Sequence, residues 1–296
     1  MNIIEVFEKF PTQEDCIAYL ENVRWNGRPT CPYCKSDNST PMPKEKRHHC
    51  NNCNTTYSVT VGTIFHHTHM PLQKWFLGLS LILNAKKGIA ARQLARDLRV
   101  NRNTAWRIAM QVRKAMTQRG QRELLTGIVE MDECYVGGKP RKGGPKGGPK
   151  DGPKNPRGRG TKKTPVVGMV ERGGNVRAKV AKKKDLSLKR LSMLVRENID
   201  VDNSVLVTDE YKGYLGMSRI LPHETINHSK AYSDGEVHTN NIESFWALLK
   251  RGIIGQYHKV SVRHLNEYVD EFCYRFNNRK NDNVFGMTIA IGLGVA

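Results

Sequence analysis

In GIVEMDECYV, residues 127–136, apolar and β-branched residues surround three acids, and the run reads as a strand. Two-residue alternation puts Glu130 and Asp132 on one face and turns Glu133 to the other. Downstream, SVLVTDEYKGY (204–214) holds a short buried strand ending at Asp209, and HTNNIESFWALLKRG (238–252) is a helix with Glu243 near its start. Between and beyond them, TPVVGMVERGG and NVRAKVAKK read as two strands joined through Gly173, Gly174 and Asn175. LSLKRLSMLVREN is an amphipathic helix, HETINHS a last strand, and SVRHLNEYVDEFCYRFNNR a closing helix. This succession of strands and helices predicts an α/β layer fold with a mixed sheet.

Acids at the ends of apolar strands stand out in a chain with 48 Lys and Arg against 28 Asp and Glu, a net charge of +20. Hard divalent cations such as Mg²⁺ account for them, since these prefer carboxylate oxygen and keep positions open for water and phosphate. The excess positive charge argues for a polyanionic partner, nucleic acid before an anionic membrane surface. The 296 residues suit about two domains of ~150 residues. The N-terminus shows no signal-peptide pattern, and the longest apolar run, WFLGLSLILNA, is too short to span a bilayer, so a cytoplasmic, nucleoid-associated protein without a membrane partner is expected.

Seven cysteines divide unevenly. Cys31 and Cys34 form CPYC, Cys50 and Cys53 form CNNC, and the spacing reads as a tetrahedral structural Zn²⁺ site, against the plainer alternative of four unrelated buried thiols. His48 and His49 lie near enough to substitute, but four thiolates already close the site. Cys16, Cys134 and Cys273 read as core. The histidines of FHHTHM (65–70) invite a metal reading, but exposed or core-capping side chains fit them better.

Residues 1–24 look helical, a zinc ribbon follows to about Gly62, and residues 71–119 are helical again. IAARQLARDLRV and NRNTAWRIAMQVRKAM, the second capped by Asn101 or Asn103, make a helix-turn-helix-like pair. Arg102, Arg107, Arg113 and Lys114 would then meet phosphates or base edges; the alternative is a helical bundle with a solvated basic face. The segment 139–165, with ten Lys and Arg against one Asp, cannot bury an apolar face and reads as a basic loop that settles on phosphates, or as a solvated extension. The expected domains are 1–70 (N-terminal helix and ribbon), 71–122 (helical module) and 123–296 (catalytic).

Asp132, Asp209 and Glu243, with 33 residues between the last two, resemble the DDE triad of RNase H-like transposases and integrases, and Lys250 resembles the basic residue that often follows it. The succession CPYC…CNNC, helices, MDECYVGGK, VTDEYKGY and HTNNIESFWALLKRGIIGQYH is similar to bacterial insertion-sequence transposases of the ISXO-like group, over nearly the whole chain. The resemblance implies an RNase H-like domain that cuts double-stranded DNA at element ends and joins 3′-hydroxyls to a target, as a homo-oligomer on DNA. It also implies that Asp132 bridges two Mg²⁺ (or Mn²⁺), that Asp209 and Glu243 hold one each, and that Lys250 contacts DNA unless it is merely solvated. Glu130, Glu133 and Glu210 are expected to tolerate amide replacement, and Asn240 to cap the Glu243 helix. A nuclease of the same fold that cuts without joining, and a non-enzymatic DNA-binding regulator, remain the alternatives.

Overall fold

The computed structural model describes residues 1–117, 123–137, 161–226 and 238–295. The expected basic loop 139–165 therefore lies outside the described residues except for its last few. The chain divides into two compact units, one of Met1–Thr117 with Asn278–Ala296 and one of Gln118–Asn277.

The first unit begins with α1 (Ile3–Lys9) and α2 (Gln13–Trp25). Each starts on a capping box, Asn2 with Glu5 and Thr12 with Asp15, in which side chain and backbone satisfy each other's first-turn donors. The single helical stretch read over 1–24 is thus two helices, broken at Phe10 and Pro11 where the second cap begins. Next come β1 (Ser39–Met42), β2 (Arg47–Cys50) and β3 (Thr55–Tyr57), an antiparallel sheet in the order β1-β2-β3. Three helices follow: α3 (Leu72–Asn84), α4 (Ala91–Leu98) and α5 (Arg102–Ala115). A tight turn joins α4 to α5, with Arg99 left-handed at φ 50° and the Asn101 side chain accepting from the Asn103 N–H at 2.8 Å, which makes Asn101 the cap.

The last helix, α9 (Val284–Leu293), is apolar on all sides and belongs to this unit, not to the second as the 123–296 boundary had it. A helix with no polar face needs cover all round. Phe285 packs against Phe76 at 5.8 Å between ring centroids, and Gly292 lies so close to Ile64 that a Cβ there would meet its Cδ1 at 2.6 Å. Residues 1–70 and 71–117 lie together in this unit.

The second unit holds β4 (Leu125–Val136), β5 (Thr164–Glu171), β6 (Val176–Val180), α6 (Leu188–Asn198), β7 (Ile199–Asp209), β8 (His223–Ile226), α7 (Asn240–Arg251) and α8 (Leu265–Asn277). The sheet order is β6-β5-β4-β7-β8. Strands β4, β5 and β6 pair antiparallel, whereas β7 runs parallel to β4 and β8 parallel to β7. This mixed sheet with flanking helices is the RNase H-like arrangement that the resemblance implied. As in the element-by-element reading of the sequence, β8 follows β7 without an intervening α-helix, here through two short 3-10 turns, giving β-β-β-α-β-β-α-α.

Both sheet faces are covered. Leu206, Met131, Leu191 and Val195 pack on the α6 side, and Cys134, Ile242, Phe245 and Phe272 on the side of α7 and α8. That explains the nearly unbroken apolar run of β5. Cys16, Cys134 and Cys273 are buried core residues, as expected.

Candidate active site

Strand β4 presents Glu130 and Asp132 to α7, and alternation sends Met131 to the α6 side and Glu133 to the Tyr214 hydroxyl, which donates to Glu133 Oε2 at 2.8 Å. Met131 pairs with Thr208 on the parallel strand β7, so Asp132 and Asp209 follow as the next positions on neighbouring strands, ~4.8 Å between strand axes. Asp209 closes β7, and its Oδ1 accepts from the Tyr211 N–H at 3.1 Å in a local turn.

Helix α7 carries Glu243 in its first turn, with Ile242, Phe245, Trp246 and Leu249 buried and Glu243 itself exposed. The helix is tied to β4 at two levels. The Ile242 N–H donates to Glu130 Oε2 at 3.0 Å, and the Trp246 indole N–H donates to Asp132 Oδ2 at 3.0 Å. Two strand residues advance ~6.8 Å and four helical residues ~6 Å, so helix and strand keep step over this stretch. Glu243 lies between the two ties.

The indole reaches Asp132 because the β5 residue opposite it, Gly168, has no side chain. A Cβ there would stand 2.5 Å from Trp246 Cη2. Burial first, then the negative charges of Glu133 and Asp209, push the Asp132 carboxyl up to about 7. Burial also pushes Cys134 up to about 12, which leaves it an inert thiol. The positive charge of exposed Lys250 acts on Cys134, two residues past Asp132 on the same face.

Asn240 does not cap α7. Thr239 is the N-cap and makes no side-chain cap bond, and Asn240 is the first helical residue. The carboxylate of Glu130, far away in sequence, takes that place. Sequence reading missed Glu130, Trp246 and Gly168 as parts of the site. Alternation had put Glu130 on the right face, but nothing local links it to residues 111 and 112 positions onward.

In the first unit, Cys31, Cys34, Cys50 and Cys53 converge, their sulfurs all within 4.8 Å of one another. No other set of three or more such donors, the acidic triad included, is gathered that tightly among the described residues. The first knuckle closes through Lys35, left-handed at φ 64°, and the Cys31 N–H donates to the Ser36 carbonyl at 2.8 Å. The Ser36 backbone N–H draws the Cys34 thiol down to about 6. His48 is committed elsewhere, its Nε2 donating to Glu21 Oε1 at 2.9 Å.

Of the residues expected to meet DNA, Arg102, Arg107 and Lys114 are exposed on α5, with Arg107 donating to the His66 carbonyl at 2.9 Å. Arg113 is not available to a phosphate. At 1% exposure it turns inward from the buried side of α5, its guanidinium 3.7 Å from the Met110 sulfur.

Residues 124–277 match the family described as the ISXO2-like transposase domain, and residues 11–56 the transposase zinc-ribbon domain. A protein of Halobacterium salinarum, described as an uncharacterized protein in transposable element ISH50, is 28% identical over 275 residues, covering 90% of this chain and 91% of that one. Two solved structures show a weak likeness. The Mos1 strand transfer complex has a TM-score of 0.30 and 16% identity over 72% of this chain and 73% of that chain. The Mos1 transposase paired-end complex with left transposon end has a TM-score of 0.30 and 15% identity over 72% and 74%.

Proposed function

Because this chain belongs to the ISXO2-like transposase family, we propose that it cuts double-stranded DNA at insertion-sequence ends and joins the freed 3′-OH to target DNA. The observation that carries this reading is the adjacency of Asp132 and Asp209 on parallel strands, with Glu243 on the helix that Trp246 fastens to Asp132.

Three carboxylates on a sheet and an adjoining helix fit hard divalent cations, Mg²⁺ or Mn²⁺. Such a cation pair, when bound, supplies activation of the attacking oxygen and stabilisation of the leaving one. Asp132, held at Oδ2 by the indole, would hold the pair together with Asp209 and Glu243. Lys250 contacts the DNA backbone beside the scissile end. The four thiols form a closed structural Zn²⁺ site that folds the ribbon. Two element ends call for more than one copy, so the acting form is a homo-oligomer on DNA, at the nucleoid; no helix among the described residues is long and apolar enough to cross a membrane.

Incubating the protein with a DNA carrying the element ends, Mg²⁺ and a target plasmid tests this. Cut ends and joined product are expected; cutting without joining from a pre-cut end identifies a nuclease, and binding without cutting a regulator.

Binding is expected to weaken steeply with salt, since each phosphate contact contributes ~0.9 to the slope of log affinity against log salt. Replacing Arg102 and Lys114 by Ala should flatten that slope by up to ~1.8, measured by fluorescence anisotropy across a salt series. An unchanged slope would remove α5 from the DNA interface.

A further inference from the structure

Glu130 is fully buried, yet it carries no part of the proposed metal site. Its Oε2 accepts from the backbone N–H groups of Asn241 at 2.8 Å and Ile242 at 3.0 Å. Its Oε1 accepts from Asn241 Nδ2 at 2.8 Å and Arg172 Nε at 2.9 Å, with His238 Nδ1 3.2 Å away. Arg172 also reaches the His238 carbonyl through Nη2 at 2.9 Å. Thr239, the N-cap residue of α7, makes no side-chain cap bond, and these contacts cap the Asn241 and Ile242 N–H groups from the neighbouring strand.

A negative group suits this place, because the first N–H groups of a helix are unpaired and its dipole is positive there. The next residue along α7 is Glu243. We infer that Glu130 is a positioning residue: its carboxylate clamps the start of α7 to β4 and thereby fixes Glu243 against Asp132. The expectation that its amide variant is a neutral control is thereby reversed.

The argument turns on counting donors. Four N–H groups converge on two carboxylate oxygens. An amide of the same shape keeps one oxygen and sets an NH2 against two of those donors, whichever way it turns. Glu130→Gln therefore loosens the clamp without changing its size. Near one ångström of misplacement at a reacting centre costs ~10²-fold in rate.

This inference rests on Glu243 being a metal ligand, so the test has a readout independent of cleavage. Amide hydrogen exchange over residues 240–247 is compared in wild type, Glu130→Gln, Arg172→Gln and Glu243→Gln, beside donor-end cleavage across a Mg²⁺ titration and DNA affinity. For Glu130→Gln the expected result is faster exchange at Asn241 and Ile242, unchanged DNA affinity, cleavage down ~10²-fold and half-maximal rate at higher Mg²⁺. Arg172→Gln removes one of the four donors to Glu130, together with the bond to the His238 carbonyl, and should shift the same quantities less; it serves if Glu130→Gln does not fold. Glu243→Gln should lose cleavage with its exchange unchanged. Wild-type exchange in Glu130→Gln overturns the clamp. Loosened exchange with an unaltered Mg²⁺ requirement overturns its link to Glu243. Should Glu243→Gln itself cleave normally, the triad assignment has failed, and the exchange result still decides the clamp.

Discussion

Asp132→Asn, Asp209→Asn and Glu243→Gln are each expected to lower donor-end cleavage and strand joining by ~10²–10³-fold or more, with the fold and DNA binding retained. An amide in place of a carboxylate removes a charge that offsets two dications, at the step where negative charge builds on the transferred phosphate. Retention of the fold follows from the geometry. An Asn at 132 still offers a carbonyl oxygen to the Trp246 indole, which donates to Asp132 Oδ2 at 3.0 Å in the wild type. Its stability should even improve. The Asp132 carboxyl is raised to about 7 from an ordinary value of 3.8, so its protonated form favours folding, and that contribution is lost as pH rises through about 7. In buffer without added Mg²⁺ at pH 8, thermal unfolding of Asp132→Asn should therefore come at or above the wild-type temperature. Glu133→Gln and Glu210→Gln are the controls that should keep most activity, Glu133 because it faces Tyr214 on the far side of β4. Full cutting by Glu243→Gln, or loss in Glu210→Gln in place of Asp209→Asn, would show the triad to be misplaced.

What was legible in the sequence followed short-range rules. Alternation along GIVEMDECYV gave the faces of Glu130, Asp132 and Glu133, and the apolar runs gave the strands of a mixed sheet. The cysteine spacing gave the convergence now seen, because two knuckles can be recognised without knowing anything beyond them. What escaped depends on contacts between distant segments. The buried carboxylate that caps α7 comes from residue 130, and the capping side chain that local rules sought at Asn240 is absent. Gly168 matters only because Trp246 lies over it, and no pattern around Gly168 says so. Arg113 shares a basic helix with Arg102 and Lys114, but charge alone does not reveal which side of that helix is inward. The last helix, Val284–Leu293, was not read as an element at all; its unbroken apolar run was the missed signal.

Cys31→Ser is expected to abolish binding of about one Zn²⁺ per chain and to unfold the ribbon, a change large enough to see in a metal assay and in hydrogen exchange over residues 31–57. The reason is the size of the ribbon's own core. Its strands span four, four and three residues, and its buried cluster consists of Cys31, Cys50 and Tyr57 with a few half-buried neighbours. So small a sheet has too little apolar area to offset the entropy of ordering its loops, and a bound metal is the usual remedy. Structural zinc contributes ~10–16 kcal/mol of apparent binding free energy in small modules of this kind, and that energy is then folding energy. Sulfur positions make the substitution severe: Cys31 lies 3.7 Å from Cys53, and Cys34 3.5 Å from Cys50, so a hydroxyl at 31 leaves three thiols around a tetrahedral centre. Cys16→Ala should leave the zinc content unchanged, since Cys16 is a core residue of α2. Faster exchange should be concentrated in the ribbon, with β4–β8 protected as before, because the two units are separately compact. Full zinc in Cys31→Ser would remove Cys31 from the ligand set, and a zinc-free protein with a fully protected ribbon would show that the four cysteines are only a cluster of thiols.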